Sequence, residues 1–320
     1  MSKATSVAHP MQGLIKYHGL TDSRLRLPYH DSISVATAPL VTRTTVEFGG
    51  YRSDSAVVDG VRAKGRVMER ILSIADEVRR MSGSHERFRM VSENSFPSGV
   101  GLGASSSGFA ALATAASAAA GLKLSREQLS ALSRLGAGSA TRSVAGGFSR
   151  WFMGTCHEDS YAVRIGGSEV RMGMVVALVE SLKQTEDAHR EVVGSPLYAG
   201  RLAYLHSALA EMDAAIRSGN AARIGELAER DTLILHAITM SGPSGMIFWK
   251  PETLSVISEV RRMRGEGMHC HFSIDTGATV YINCEVDEIP EVERRVAAMG
   301  LKAIRCTVGG PSRLTGRHLF

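Results

Sequence analysis

The chain has 320 residues, of which 44% are hydrophobic and 22% charged, a composition typical of a folded globular protein rather than a disordered or fibrous one. The formal net charge is +5, but the basic residues are scattered and form no aromatic-interleaved patch of the kind that binds nucleic acid, so a small anionic substrate explains the excess equally well. Because no run approaches the roughly 20 apolar residues of a membrane span and the first residues lack the apolar core of a signal peptide, we expect a cytoplasmic protein that binds neither membrane nor nucleic acid.

The first half of the chain alternates between predicted strands and helices. Alternating apolar residues predict a strand over 42–48, helical spacing predicts a helix over 63–80, and strand character returns at 87–91. After a loop rich in glycine and serine, helices are predicted over 109–121 and 125–135. This interleaving indicates a mixed fold.

The second half begins with a predicted strand and continues with long amphipathic helices. The predicted elements are a strand over 174–180, helices over 195–218, 221–238 and 251–265, and strands over 270–274 and 279–284. We therefore predict an α+β fold in two domains, residues 1–170 and 171–320.

The segment 97–108 is the most informative stretch of the sequence, because glycines and small hydroxyl residues lead directly into a helix. Unpaired backbone N–H groups at a helix N-terminus, together with the helix dipole, favour an anion. We predict a phosphate-binding loop with ligands from Gly101, Gly103, Ser105 and Ser106. A plain turn before a buried helix is the alternative that such a pattern leaves open.

Four ordered motifs resemble the mevalonate diphosphate decarboxylase family of the GHMP superfamily. They are Lys16-Tyr17-His18-Gly19, the loop 97–108, the segment 139–148, and Ser273-Ile274-Asp275-Thr276-Gly277. The resemblance spans nearly the whole chain and is greatest for the archaeal branch that acts on mevalonate 5-phosphate. It implies a two-domain GHMP-kinase-like fold, an active site in the interdomain cleft and a small phosphorylated mevalonate as substrate. Homodimers are common in this family, although the sequence itself does not establish one.

The resemblance also assigns roles to individual side chains. Arg142 would hold the substrate carboxylate, which a planar guanidinium binds through two hydrogen bonds. Asp275 would lie beside the C3 oxygen and stabilise the positive charge that develops at C3, and Lys16 would keep Asp275 ionised. The remaining substrate-binding residues implied by the family are Tyr17, Ser139 and Lys183.

Leu20 indicates which phosphorylated substrate is used. At this position the diphosphate-using enzymes typically have a lysine that contacts the second phosphate. A buried phosphate without a cation would carry uncompensated charge, so a C5 monophosphate is favoured. The acidic segment 183–189 agrees, because the diphosphate enzymes have a loop with serine and arginine there.

Two activities are known within this branch, and both yield isopentenyl phosphate. Ser95, Ala104 and Ala137 each replace a polar residue that is common in relatives, and Ala104 removes a loop hydroxyl. The chain also lacks the acidic excess of salt-adapted proteins. These features favour an ATP-independent enzyme that removes the 3-phosphate and CO2 from mevalonate 3,5-bisphosphate without a cofactor. The alternative is an ATP- and Mg2+-dependent phosphomevalonate decarboxylase, and a more remote one is a kinase such as mevalonate 3-kinase.

No metal site is predicted. The four cysteines are widely spaced and form no Cys-x-x-Cys pair, which argues against a zinc knuckle or a disulfide framework. In a strand, His269 and His271 would share a face, but two imidazoles alone are a weak indication of a metal.

Overall fold

A computed structural model describes residues 3–180 and 185–320. Within these residues the strands, in chain order, are β1 Lys3–Ala8, β2 Met11–Ile15, β3 Leu20–Asp22, β4 Leu27–Pro28, β5 Ser32–Ala38, β6 Thr42–Gly49, β7 Ser55–Val58, β8 Val61–Arg62, β9 Arg87–Asn94, β10 Phe148–Trp151, β11 Ala162–Arg164, β12 Met172–Leu178, β13 His271–Ser273, β14 Val280–Glu285, β15 Lys302–Val308 and β16 Arg313–Thr315.

The α-helices lie between these strands. They are α1 Gly65–Ser82, α2 Ala104–Ala119, α3 Arg126–Gly136, α4 Ala140–Ala145, α5 Thr185–Val193, α6 Tyr198–Arg217, α7 Ala221–Met240, α8 Pro251–Gly265 and α9 Ile289–Ala298. No helix in the described parts of the chain is both long and apolar enough to cross a membrane.

The first sheet is six-stranded, in the order β16-β1-β6-β9-β7-β8, and α2 packs against β1 and β6. Helix α2 is rich in alanine and almost wholly buried, because small side chains allow its backbone to approach the strands closely. Val46, Phe48 and Phe88 from the strands pack with Ile71 and Ile74 of α1 in the same core. The sheet therefore holds α2, and the loop before it, in a fixed position.

The second sheet has eight strands, in the order β11-β10-β5-β15-β12-β14-β13, with β2 paired to β5. Its two faces bury different helices because side chains alternate along each strand. Met174 and Val176 of β12 belong to the core that contains residues of α6 and α7, whereas Val175 and Ala177 belong to the core that contains residues of α8 and α9. Strands from both sides of residue 170 join this sheet, and the proposed division into 1–170 and 171–320 stays a prediction.

Sequence periodicity located most of the helices and the five strands β6, β9, β12, β13 and β14 to within a few residues, but did not predict β15, which lies in the middle of the second sheet. The largest difference is at α2, which begins at Ala104 rather than 109, so part of the predicted loop forms the first turn of the helix. The strands β1 to β5 were not predicted. In β5, Ser32, Ser34 and Thr37 are fully buried and hide the usual apolar alternation.

Two buried histidines lie outside the strands of the second sheet. His30 precedes β5, and its Nδ1 lies 2.6 Å from the carbonyl oxygen of Asp31. His236 is on α7, with its ring centroid 5.1 Å from that of Trp249. Burial lowers the pKa of His30 to about 4 and the pKa of His236 to about 3, so both imidazoles are uncharged at neutral pH.

We expect the free energy of unfolding to fall as the pH is lowered from 7 to 5. An ordinary imidazole has a pKa of about 6.5, so below this pH the unfolded chain binds protons that the folded chain does not accept until about pH 3 to 4. Each buried imidazole then costs about 2 kcal/mol at pH 5. Urea unfolding should show that His30→Gln loses about 2 kcal/mol less than the unchanged protein over this range. Equal losses in the two proteins would contradict the neutral burial of His30.

Candidate active site

One cavity brings together eight of the sequence-predicted site residues. It lies at the junction of four parts of the chain: β2, the loop before α2, the start of α4 and the turn between β13 and β14. The predicted residues that line it are Lys16, Tyr17, Gly101, Gly103, Ser105, Ser139, Arg142 and Asp275. The prediction for Lys183 concerns a residue outside the described parts of the chain.

The loop before α2 has a backbone that glycine makes possible. Gly101 and Gly103 have φ values of 87° and 74°, in the left-handed region that other residues rarely adopt. Gly103 directly precedes α2 and no side chain caps the helix there, so backbone N–H groups of the first turn are available to an anion. Ser105, in this first turn, lines the cavity.

Ser106 differs from the prediction that it is a phosphate ligand. It is fully buried, and its hydroxyl donates to the carbonyl oxygen of Gly103 at 2.6 Å. The hydroxyl therefore makes a local hydrogen bond within the first turn of α2.

Thr279 attaches this loop to the second sheet. Its Oγ1 lies 2.6 Å from the carbonyl oxygen of Val100, to which it donates, and it accepts from the N–H of Val179 at 3.3 Å. A Cβ on Gly101 would lie 3.6 Å from the Cβ of Thr279. The loop is thus held against the strand that follows Asp275.

Arg142 is a buried guanidinium without an ion-pair partner among the described side chains. It is 1% exposed, its Nη1 donates to Ser32 Oγ at 3.0 Å, and its Nε has no hydrogen-bond partner within the described residues. Its guanidinium lies 5.2 Å from the ring centroid of Tyr17 and 5.6 Å from that of Trp151. Burial lowers the pKa of Arg142 to about 10, which leaves it charged at neutral pH. A charge in this position is suited to an anionic ligand.

Asp275 faces Arg142 across the cavity from the turn between β13 and β14. The backbone N–H of Gly13 lies 3.2 Å and 3.3 Å from its two carboxylate oxygens. A Cβ on Gly13 would lie 3.0 Å from Asp275 Oδ1 and 2.8 Å from Lys16 Cγ, so glycine is needed for this close approach. The negative charge of Asp275 partly offsets the effect of burial, which lowers the pKa of Lys16.

Lys16 is held by a network that the sequence did not predict. Its Nζ donates to Thr232 Oγ1 and Ser273 Oγ, both at 2.9 Å, and lies 3.9 Å from Asp231 Oδ2. Asp231 in turn accepts from Arg201 Nη2 at 2.9 Å. Burial is the largest cause of the lowered pKa of Lys16, and the two aspartates oppose it. A weak signal was present, because Asp231 and Thr232 fall at positions of α7 whose helical spacing places them on its buried face.

Tyr17 and Ser139 complete the predicted set. Tyr17 packs edge-on against Trp151 at 4.7 Å, and a Cβ on Gly138 would come within 2.5 Å of its hydroxyl. Ser139 directly precedes α4, the helix that carries Arg142. The further residues that line the same cavity include two histidines to which the sequence assigned no role, His18 and His189. Within the described residues, no group of three or more His, Cys, Asp or Glu side chains is placed to hold a metal ion.

Comparisons with known proteins agree along the whole chain. A family model described as the diphosphomevalonate decarboxylase-like N-terminal domain matches residues 8–162. A phosphomevalonate decarboxylase from Haloferax volcanii is 44% identical over 315 residues, which are 98% of this chain and 97% of that protein.

Solved structures of other proteins are similar to this chain over nearly its whole length. Mevalonate diphosphate decarboxylase from Staphylococcus aureus matches with a TM-score of 0.93 at 29% identity, over 98% of each chain. A structure of the Enterococcus faecalis mevalonate diphosphate decarboxylase, described as showing a mevalonate diphosphate mediated ATP binding mechanism, matches with a TM-score of 0.92 at 29% identity, over 98% of this chain and 99% of that one. The predicted α+β, GHMP-type fold is confirmed. The chain belongs to the family of phosphomevalonate and diphosphomevalonate decarboxylases.

Proposed function

We propose that this decarboxylase converts mevalonate 5-phosphate into isopentenyl phosphate and uses ATP with Mg2+ to do so. A phosphoryl group is first transferred to the C3 hydroxyl, whose proton is lost. The C1–C2 bond then breaks to release CO2, its electron pair forms the C2–C3 double bond, and the C3–O bond breaks to release phosphate. The sequence favoured the ATP-independent route from mevalonate 3,5-bisphosphate, whereas the comparisons favour this alternative.

The observation that carries the proposal is the uncompensated charge of Arg142 in the cavity beside the phosphate loop. Within the described residues no carboxylate pairs with this guanidinium, so the carboxylate of a substrate can take that position with two hydrogen bonds. A carboxylate held rigidly at C1 keeps the C1–C2 bond aligned for its loss as CO2. A simple kinase has no need to orient that group.

Asp275 and Lys16 support the chemistry at C3. The carboxylate of Asp275, anchored by the N–H of Gly13, is placed to accept the proton of the C3 hydroxyl and then to stabilise positive charge at C3. Lys16 is fixed by Thr232, Ser273 and Asp231 and acts as a nearby positive charge that favours the ionised form of Asp275.

ATP fits the region on the other side of the loop. A second, mostly apolar cavity of about 170 Å³ adjoins the loop at Ala104 and Ser105, and Val67, Ile71, Met90 and Phe109 contribute to its lining. Such a lining suits a nucleotide base, while the loop N–H groups suit its phosphates. When bound, ATP with Mg2+ would supply the phosphoryl group. The ATP binding described for the E. faecalis structure supports this assignment.

The residues that differ from those common in relatives, Ser95, Ala104 and Ala137, do not exclude ATP binding. Ala104 is the first residue of α2, where the backbone N–H remains whatever the side chain is. Ser95 is exposed and its hydroxyl accepts from the N–H of Val41, and Ala137 is buried in the core, so neither lines the two cavities. Losing one hydroxyl contact to a phosphate weakens binding by about 0.5 to 3 kcal/mol without abolishing it.

The decisive experiment supplies the purified protein with mevalonate 5-phosphate plus Mg-ATP and, separately, with mevalonate 3,5-bisphosphate alone, while CO2 and isopentenyl phosphate are measured. We expect both products from the first mixture, in an amount equal to the ADP formed. If mevalonate 5-phosphate with ATP gave no product while the bisphosphate alone did, the ATP-independent activity would replace our proposal. Formation of ADP without CO2 would identify a kinase.

Arg142→Lys should lower kcat/KM by about 100-fold or more, because a point charge cannot replace two parallel hydrogen bonds to a carboxylate. Steady-state kinetics measures this effect. Arg150→Lys is the matched control, since Arg150 pairs with Asp31 outside the cavity and should keep near-normal kinetics. A similar small effect of both substitutions would remove Arg142 from the proposed mechanism.

Asp275→Asn should keep the fold and the affinity for substrate while lowering kcat by roughly a thousandfold, since proton transfer and charge stabilisation at C3 are both lost. Circular dichroism and substrate titration check the first part and single-turnover kinetics the second. Near-normal turnover in this variant would show that another group performs the chemistry at C3.

A further inference from the structure

We propose that His18, with His189 beside it, binds the 5-phosphate of the substrate and makes the site selective for one phosphate rather than two. This inference rests on the proposed function, because it concerns the phosphate that the proposed substrate carries at C5.

A continuous row of cavity-lining groups leads from Arg142 to the two imidazoles. The Arg142 guanidinium lies 5.2 Å from the ring centroid of Tyr17, Tyr17 stacks on His189 at 5.1 Å, and His189 meets the ring of His18 at 5.3 Å. All four residues line the same cavity. A short ligand whose carboxylate is bound by Arg142 therefore has its far end beside His189 and His18.

His18 has unused hydrogen-bonding capacity in this position. The residue is 4% exposed, and its Nδ1 has no hydrogen-bond partner in the described parts of the chain. Buried polar atoms are nearly always paired, so an unpaired imidazole in a binding cavity indicates that a ligand completes it. His189 is oriented differently, because its Nδ1 accepts from the backbone N–H of Gly19 at 3.2 Å, which in the neutral ring places the proton on Nε2.

The charges around His18 explain the expected selectivity. Burial lowers its pKa well below the usual value, and the other groups that lower it are His189, Arg201, His236 and His30. The imidazole of His18 is therefore uncharged, and its N–H donates a hydrogen bond without bringing a positive charge. The nearby cations Arg201 and Lys16 both contact the carboxylate of Asp231, and Arg201 does not line the cavity.

Neutral donors leave less negative charge uncompensated with one phosphate than with two. Leu20 occupies the position at which diphosphate-using enzymes typically have a lysine, and here it begins β3 as a half-buried apolar residue. A second phosphate would add negative charge that no cation offsets among the described residues lining this end of the cavity, and Lys183 lies outside those described residues. The imidazoles thus supply directional hydrogen bonds at the point where a diphosphate site would need positive charge.

The test is the affinity of His18→Phe for mevalonate 5-phosphate and for mevalonate, which lacks the phosphate, each measured by calorimetry on the full-length protein. Phenylalanine keeps a planar aromatic ring at this position but removes both imidazole nitrogens. We expect binding of mevalonate 5-phosphate to weaken by about 10-fold or more and binding of mevalonate to stay within twofold of the unchanged protein. His18→Asn, which restores an N–H donor, should recover part of the loss. His30→Gln, which alters a buried imidazole outside the cavity, serves as the matched control.

Two results would overturn the inference: an unchanged affinity for mevalonate 5-phosphate in His18→Phe, or an equal loss for both ligands, which would indicate a packing role. If His18→Phe fails to fold, the same comparison is made with His18→Leu, which also removes both nitrogens, against His30→Gln, and unchanged phosphate affinity would again refute the inference. A failure of the unchanged protein to bind mevalonate 5-phosphate at all would instead refute the proposed substrate, and the role of His18 with it.

Discussion

The burial of Asp231 between two cations is the interaction on which the site depends. Its carboxylate accepts from Arg201 Nη2 and from the backbone N–H of Lys16, each at 2.9 Å, and Arg201 also donates to the carbonyl oxygen of Lys16 at 2.8 Å. These contacts join α6, α7 and β2 with fully buried charges. Such a group is costly to leave unpaired, so the three elements have one favourable arrangement. That arrangement fixes the backbone of β2 beside Asp275.

Of three buried cations in and beside the site, two contact a carboxylate of the protein and one contacts none among the described residues. Lys16 and Arg201 are committed to Asp231, whereas Arg142 has no ionised partner among the described side chains. The protein therefore stabilises its own core with two cations and leaves a third for an anion from outside. Aromatic faces of Tyr17 and Trp151 lie close to that third cation and offset part of the cost of its burial.

The sequence was sufficient for those parts of the site that depend on local spacing. The loop before α2, Arg142 after its glycines and Asp275 between two strands were each predicted from short motifs, and the structure brings them to one cavity. Asp231 and Arg201 were not predicted, because their role arises only when α6 and α7 pack against β2. For the same reason, the sequence could not indicate that the hydroxyl of Ser106 is used inside the loop, or that β5 buries serines and a threonine.

The hydrogen bond from the Thr279 hydroxyl to Val100 has a consequence for the entropy of ligand binding. By joining Val100 to the strand after Asp275, it links the loop before α2, whose residues line both cavities, to the second sheet. A ligand that orders one segment reduces the entropy that remains to be lost when the other is ordered. Since such coupling is reciprocal, each ligand strengthens the binding of the other by the same factor. If the two cavities hold the proposed substrate and ATP, the loop that Thr279 anchors is a segment that both ligands would order.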